Sequence, residues 1–564
     1  MQDILDTERT PVVVVGAGPG GLTMSMLLSR KGITHLVLEK RDRIGTLPRA
    51  RGINVRSVEI LTQLGLGEDL MNDALQPPWT DCFLYTETLT GPIIGRMQGT
   101  MAPGAAAAWS PCDYRTAAQD RLDPMLFAHA TRAPQASIRL GHEVTDLKQD
   151  EGGVTLQVQR TDGTRYAVRA DYLVAADGGS SRMRELAGIV QAGQPDLRSF
   201  VNVHLRADLS RFTSGREATL IWALAPGVEG VFQPLDGCDK WAVQIQFDPA
   251  TDSLQAWTAE RIIDRLCAMI GSPEAREVKF ELLHVYAYTL SVMLAQRLRN
   301  GRVLLVGDAA HKIPPYGGFG LNTGIQTAHN LAWKLAAVLR GEASPALLDS
   351  FDAERLEVAR RVCAFGRTNA GYVEQMMAAL RSADGVEERQ EAFRRSRQYG
   401  NWMGLDLGVH YEEAGGAFVQ DDVAPPHVAD TVVDYVPHAK PGWRAPHFWL
   451  RLPDGTRQSS VALFDSAFVL LAGERGDGWI EAAGRLQEHG ETTRLPALEA
   501  WRVAPGADLA PEPGTNFHSL YGIDADGAVL VRPDGHVAFR VPHAVADPLQ
   551  ALRDAMANVL RLPH

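Results

Sequence analysis

What most constrains the fold of this chain is a pair of glycine-rich turns, far apart in sequence, each at the end of a short β-branched run. In the first, Pro11-Val12-Val13-Val14-Val15 leads into Gly16-Ala17-Gly18-Pro19-Gly20-Gly21, and Leu22 to Arg30 continues with helical character until Gly32. Strand, glycine turn and helix in that order are the context in which Gly16-x-Gly18-x-x-Gly21 binds a dinucleotide. The glycines permit the tight turn, the close approach of backbone to pyrophosphate and the close packing of helix on strand. The helix start, with Pro19 and Gly20, offers free N–H groups and partial positive charge to the phosphates. The next apolar run, His35-Leu36-Val37-Leu38, ends at Glu39-Lys40. Glu39 is placed to accept hydrogen bonds from a ribose, with Lys40 beside it as a further cofactor contact.

The second turn follows Val303-Leu304-Leu305-Val306 and reads Gly307-Asp308-Ala309-Ala310-His311, then Pro314-Pro315-Tyr316 and Gly317-Gly318-Phe319-Gly320-Leu321-Asn322. An Asp at the carboxyl end of a parallel strand sits where such sheets bind ligands, so the Asp308 carboxylate can accept hydrogen bonds from a sugar or ribityl chain. The pattern predicts a helix beginning near Leu321-Asn322-Thr323, whose N-terminus favours negative charge on a bound ring. Between the two turns lies Asp171-Tyr172-Leu173-Val174-Ala175-Ala176-Asp177-Gly178, a third strand ending in Asp-Gly. One glycine signature says dinucleotide; two, with Asp177-Gly178 between them, say FAD held at both ends. The expected fold class is α/β, built on a Rossmann-like FAD-binding domain.

At 564 residues the chain is long enough for two or three domains. Its net charge of −12 disfavours nucleic acid or an anionic membrane as partner. No apolar run reaches the roughly 18 residues of a membrane span. The segment MQDILDTERTP lacks the basic-then-apolar order of a secretory signal. Cys82, Cys112, Cys238, Cys267 and Cys363 are scattered without CxxC spacing, which suits the cytoplasm and predicts neither a disulfide framework nor a metal site.

In their order and spacing the three nucleotide elements resemble the single-component FAD-dependent aromatic monooxygenases (class A), which have the fold of p-hydroxybenzoate hydroxylase. Gly307 through Asn322 matches that family's flavin loop without a gap. Pro48-Arg49-Ala50-Arg51-Gly52, with Ser57 to Leu61 and Leu64-Gly65-Leu66, resembles its second motif block, where Arg49 would touch the flavin side chain. Ser110-Pro111-Cys112 with Gln119-x-x-Leu122-x-Pro124-x-Leu126 resembles the third, with Gln119 near the ribityl. From Trp79 to Gln119 the chain is most similar to the branch holding 2,4-dichlorophenol 6-monooxygenase, phenol hydroxylase and the aromatic polyketide hydroxylases.

The resemblance implies an FAD-binding domain over 1–78, 116–188 and 296–375, with an inserted antiparallel substrate-binding sheet over 79–115 and 189–295. A helical bracing segment and linker over 376–429 and a thioredoxin-like C-terminal domain over 430–564 follow. That last domain contains no cysteine, so disulfide exchange is closed to it. The implied chemistry is reduction of FAD by NADPH or NADH, formation of a flavin C4a-hydroperoxide with O₂, and oxygen transfer to an electron-rich phenolic or heteroaromatic ring. Natural-product biosynthesis and aromatic catabolism both suit such a reaction. Pro315 would lie close to C4a, Gly317, Gly318 and Gly320 would give the flavin room to move, and the helix N-terminus, with Leu321 and Asn322 as cofactor contacts, would point at its pyrimidine side.

Phe200 to Arg206, Thr219 to Trp222 and Trp241 to Gln246 alternate as sheet strands. Trp79, Phe83, Trp222, Phe232 and Trp241 suggest an aromatic roof, and Phe351-Asp352-Ala353-Glu354-Arg355 opens a helix expected to be solvated. A base that deprotonates a phenolic substrate could be His204, Tyr316, His410 or Tyr411, which spacing does not separate. His311 is expected to serve loop architecture. Two other readings share the flavin: Baeyer–Villiger oxygenation of a polyketide ketone, and a non-catalytic flavin-binding protein that docks through its C-terminal domain. Halogenation is disfavoured, because the Trp-x-Trp-x-Ile-Pro motif is absent. The expected partners are a small aromatic substrate and O₂, with homo-oligomer formation left open.

Overall fold

The structure is a computed structural model and describes residues 7–381, 386–412, 415–452, 454–488 and 494–563; the first six residues of the N-terminal segment lie outside these. Thr7–Val15 forms the centre of a largely parallel sheet, its last four valines buried, as a strand covered by helices on both faces requires. It pairs in parallel with His35–Glu39 on one side and Arg165–Ala175 on the other, and Ala136–Leu140 and Val303–Leu305 extend the parallel set outward. A hairpin of His142–Asp150 and Gly153–Arg160 lies antiparallel against the start of Arg165–Ala175. Helices Pro19–Arg30 and Phe319–Leu339 pack together over the sheet, sharing one core with Val12, Val14, Leu173 and Leu304. The carboxyl ends of the five parallel strands therefore lie along one edge, the crevice where such sheets bind ligands. The second helix starts at Phe319, two residues before the expected position, because Gly318 supplies a left-handed N-cap (φ 71°).

A second sheet of eight strands faces this crevice, in the order His311–Lys312, Glu281–Ala295, Gln191–Arg206, Lys240–Phe247, Gly230–Pro234, Leu220–Ala223, Phe83–Thr86, Ile93–Met97. It is antiparallel except where Phe83–Thr86 runs parallel to Leu220–Ala223, which departs from the expected pattern because these strands are joined by a long crossover and not by a hairpin. Alternation splits the expected aromatic roof in two. Phe83 and Trp222 face the crevice, whereas Phe232 and Trp241, with Trp79 against them, enter a separate core under helix Ala259–Ile270. The cause is the two-residue period of a strand, which sends neighbours to opposite faces.

Towards the C-terminus, Phe468–Ala472 pairs in parallel with Leu498–Arg502 across helix Asp477–Glu488, while Ala528–Val531 and Val537–Val541 add antiparallel strands on the other side. Helix Pro548–Leu560 completes a thioredoxin-like layer. Helix Asp349–Arg381 runs through residue 375 without a break. The expectation of a solvated helix is corrected at its start, where Glu354 and Arg355 are each 1% exposed. The C-terminal domain covers that face, and its Arg532 pairs with Glu354 at 2.7 Å.

Candidate active site

A cavity of about 660 Å³ lies between the two large sheets. Gly16, Gly18, Pro19, Gly20, Glu39 and Lys40 line its nucleotide end. Gly16 has φ 106°, and a Cβ there would collide with the Ala176 carbonyl oxygen, so the turn tolerates no side chain. Gly21 does not reach the cavity; it packs against the Gly16 carbonyl and lets helix and strand close together. No side chain caps helix Pro19–Arg30, which leaves its first-turn N–H groups for a ligand. The Glu39 carboxylate accepts from the N–H groups of Ala17 at 2.9 Å and Arg41 at 3.1 Å, tying the glycine turn to the second strand. Asp177 and Gly178 also line the cavity, but the Asp177 carboxylate accepts from the Met183 N–H (3.1 Å) and the Ser181 hydroxyl, capping helix Arg182–Leu186.

Arg49, Gln119, Gly307 and Asp308 line the middle of the cavity. Gln119 accepts from the Ala50 N–H at 3.3 Å and donates to Asp123 at 3.1 Å, and burial pushes the Asp123 carboxyl up to about 7. Desolvation raises the Asp308 carboxyl above its ordinary range, against the pull of Arg49 and Lys312. Asn322 is fully buried beneath the lining. Its side chain accepts from the Asn54 N–H at 2.8 Å and donates to the carbonyls of Gly52 (2.9 Å) and Gly318 (2.6 Å), so it braces the loop from behind while Gly320 and Leu321 face the cavity. A Cβ built at Gly18, Gly178, Gly307 or Gly320 would meet no atom within 4 Å. An open glycine cradle, an uncapped helix start and carboxylates at two depths fit the pyrophosphate, sugar and ribityl of FAD.

The far end is aromatic. Trp222 stacks on Tyr316 with ring centres 6.4 Å apart, Tyr399 meets both edge-on, and Phe83, Tyr288 and Trp402 complete the wall. The Tyr288 and Tyr316 hydroxyls and the indole N–H groups of Trp222 and Trp402 are buried without a hydrogen-bond partner. Burial pushes the Tyr288, Tyr316 and Tyr399 hydroxyls up, so all three are neutral phenols near pH 7. Pro315 and Gly318 line the cavity beside them.

Of the four bases considered, the structure brings only Tyr316 to the cavity. His204 lies two residues beyond the cavity-lining Asn202, against His284 and Tyr286 (ring centres 6.0 Å apart), and does not line it. Burial, followed by His284, lowers the His204 imidazole to about 4. His410 stacks on Trp443 at 3.8 Å and Tyr411 on His536 at 4.5 Å, both away from the cleft. His311 is buried in the short strand His311–Lys312 and held neutral, its imidazole lowered to about 4 by burial and Arg355. Sequence reasoning missed Tyr399 and Trp402, which come from the segment read as bracing helix and linker. The only signal there was two aromatic residues interrupting a charged stretch.

Residues 9–366 match the family described as FAD binding domain, and residues 438–563 match the aromatic-ring hydroxylase C-terminal family. Aklavinone 12-hydroxylase RdmE of Streptomyces purpurascens is 34% identical over 99% of this chain and 100% of its own length. The 4-methyl-5-nitrocatechol 5-monooxygenase of a Burkholderia species is 33% identical over 98% of both chains. Among solved structures, the flavin-dependent monooxygenase PieE in complex with FAD and substrate has a TM-score of 0.90 and 31% identity, covering 98% of this chain and 99% of its own. Likeness that runs end to end, through both domains and over a cleft with the chemistry to hold a flavin, means that this chain belongs to the FAD-dependent aromatic-ring hydroxylases and is a flavoprotein monooxygenase.

Proposed function

We propose that this monooxygenase hydroxylates a polycyclic phenolic aromatic of the polyketide type, with electrons from NADPH or NADH. The observation that carries the reading is the wall of Trp222, Tyr288, Tyr316 and Trp402, whose rings offer flat apolar contact and whose buried N–H and O–H groups lack partners. A substrate with several fused rings and peripheral oxygens satisfies both at once. A single-ring nitrocatechol, the substrate that the Burkholderia relative's name gives, would leave more of those donors unpaired. FAD, when bound, supplies electron transfer from the nicotinamide and delivery of one oxygen atom from O₂.

The chain's own contribution is to bind, orient and dry. The uncapped start of helix Pro19–Arg30 takes the pyrophosphate, Glu39 the ribose, and Arg49, Gln119 and Asp308 the side chain leading to the ring, which rests against Pro315, Gly318, Gly320 and Leu321. Tyr288 and Tyr316, as neutral phenols, donate to substrate oxygens and fix which ring carbon faces the flavin. The aromatic wall excludes water from that position. The test is anaerobic flavin reduction by NADPH and by NADH, with and without a panel of phenols and fused polyphenolic aromatics, followed by product analysis in air. Acceleration by a fused aromatic, with one hydroxyl gained on the ring, is expected. Fast reduction without any aromatic, yielding only peroxide, would defeat the reading, and a ring-expanded lactone would replace it with Baeyer–Villiger oxygenation.

A further inference from the structure

A second cavity of about 10 Å³, room for one water or one monatomic ion, lies where the C-terminal domain seats on the FAD-binding domain. Arg56, Arg355 and Arg444 line it, with Asn330, Asp534 and His536. Arg355 is the anomaly. It is 1% exposed, yet its partners are two hydroxyls, Thr327 Oγ1 at 3.3 Å and Tyr411 at 3.4 Å, and its Nη2 has none. Among the described residues the nearby carboxylates are committed elsewhere. Glu354 accepts from Arg532, Lys334 and Asn330, Asp534 from Arg532 and Asn330, and Glu59 from Arg56 and Arg444.

Buried charge needs a counter-charge, and here the described groups do not supply enough. Arg56, Arg355, Arg444, Arg532 and Lys334 outnumber Glu59, Glu354, Asp534 and Asp406 even with every carboxyl ionised. The polar atoms left without partners around the cavity are two donors, Arg355 Nη2 and Arg444 Nε, and two acceptors, Asn330 Oδ1 and Nε2 of His536, whose Nδ1–H faces the Asp534 carbonyl. Two carboxyl groups also line the space. Asp534 is gripped by Arg532, and Asp406, pushed up to about 7 by burial, accepts from the Arg56 N–H at 3.3 Å and from Gln326 at 3.4 Å. We propose that this cavity is a binding site for a small monovalent anion of chloride size, held chiefly by Arg355, which completes the charge balance of the domain junction. A water molecule would fill the same space without supplying the missing charge.

The test compares thermal unfolding of the FAD-loaded full chain in sodium chloride or bromide with that in sodium gluconate at matched ionic strength. Saturating halide should raise Tm by about 2–4 °C. Crystals grown in bromide should show an anomalous peak beside Arg355 Nη2. In Arg355→Met the halide increment should vanish while the flavin stays bound. No anomalous peak at the cavity, or a halide increment undiminished in Arg355→Met, overturns the proposal. If that variant does not fold, the anomalous map of the unsubstituted protein decides alone.

Discussion

Gly16 and Asp308 show how single positions set the flavin end of the cleft. At Gly16 the backbone is left-handed and the Ala176 carbonyl occupies the space of a Cβ, so Gly16→Ala should cost about 1–3 kcal/mol of stability and purify without FAD. Flavin absorbance and thermal unfolding read both effects. Asp308 faces the cavity with a carboxyl raised by desolvation, a cost that a ligand hydroxyl would offset. Asp308→Ala should therefore yield largely colourless protein, and stoichiometric yellow FAD in that variant would count against the ribityl assignment. At the substrate end, Tyr316→Phe removes one donor and little volume. The loss of about 1 kcal/mol in binding should appear as a roughly fivefold rise in KM with flavin reduction by nicotinamide intact, measured by steady-state and stopped-flow kinetics.

Helix Val55–Gln63 transmits the C-terminal domain's grip to the cleft, because it begins directly after the cavity-lining residues Arg49 to Gly52. Its Glu59 is 1% exposed and held by Arg56 on the same helix, by the Ser110 hydroxyl at 2.7 Å and by Arg444 of the C-terminal domain. Arg444→Met strips one of two cations from a buried carboxylate and should destabilise the protein by about 3–5 kcal/mol, measurable by denaturant unfolding. On helix Asp349–Arg381, burial alone would raise the Glu354 carboxyl, but Arg532 and Lys334 pull it down from 4.5 to about 2. A carboxylate with a depressed folded-state value contributes stability that is fully present above 4.5 and lost as pH falls from there towards 2. The junction should thus lose on the order of a few kcal/mol across that window, seen as protease sensitivity of the connecting segment 420–429 before the FAD-binding domain unfolds.

For the whole molecule, the C-terminal domain works as a structural clamp. One apolar core runs across the junction, joining Trp333 and Ala337 of the flavin-loop helix to Phe468, Leu530 and Met556. Deleting residues 430–564 would expose that core and leave Glu354 without Arg532. The truncated chain should aggregate on expression, read by its soluble fraction, before any chemical step is affected. A soluble truncation that binds FAD but cannot be reduced would show instead that this domain takes part in the reaction.

The parts of this protein legible from its residues alone are those encoded locally. A β-branched run, a glycine turn and a helix are contiguous, so the nucleotide fold could be read at Val12 to Arg30 and at Val303 to Asn322 without knowing where either lay in space. The absence of cysteine after residue 429 likewise settled that the thioredoxin-like layer does no disulfide chemistry. What only the tertiary structure decided depends on which faces meet. Strand alternation sent Trp222 to the cleft and Trp241 away from it, and packing brought Tyr399 and Trp402 into the wall from a segment that reads as polar helix. The same holds for Asn322, which resembles a cofactor ligand but is spent on bracing the loop, and for Arg355, which looks solvated in sequence and is buried by a domain that follows much later. Local propensity is a property of neighbours in the chain, whereas burial and charge pairing belong to neighbours in space.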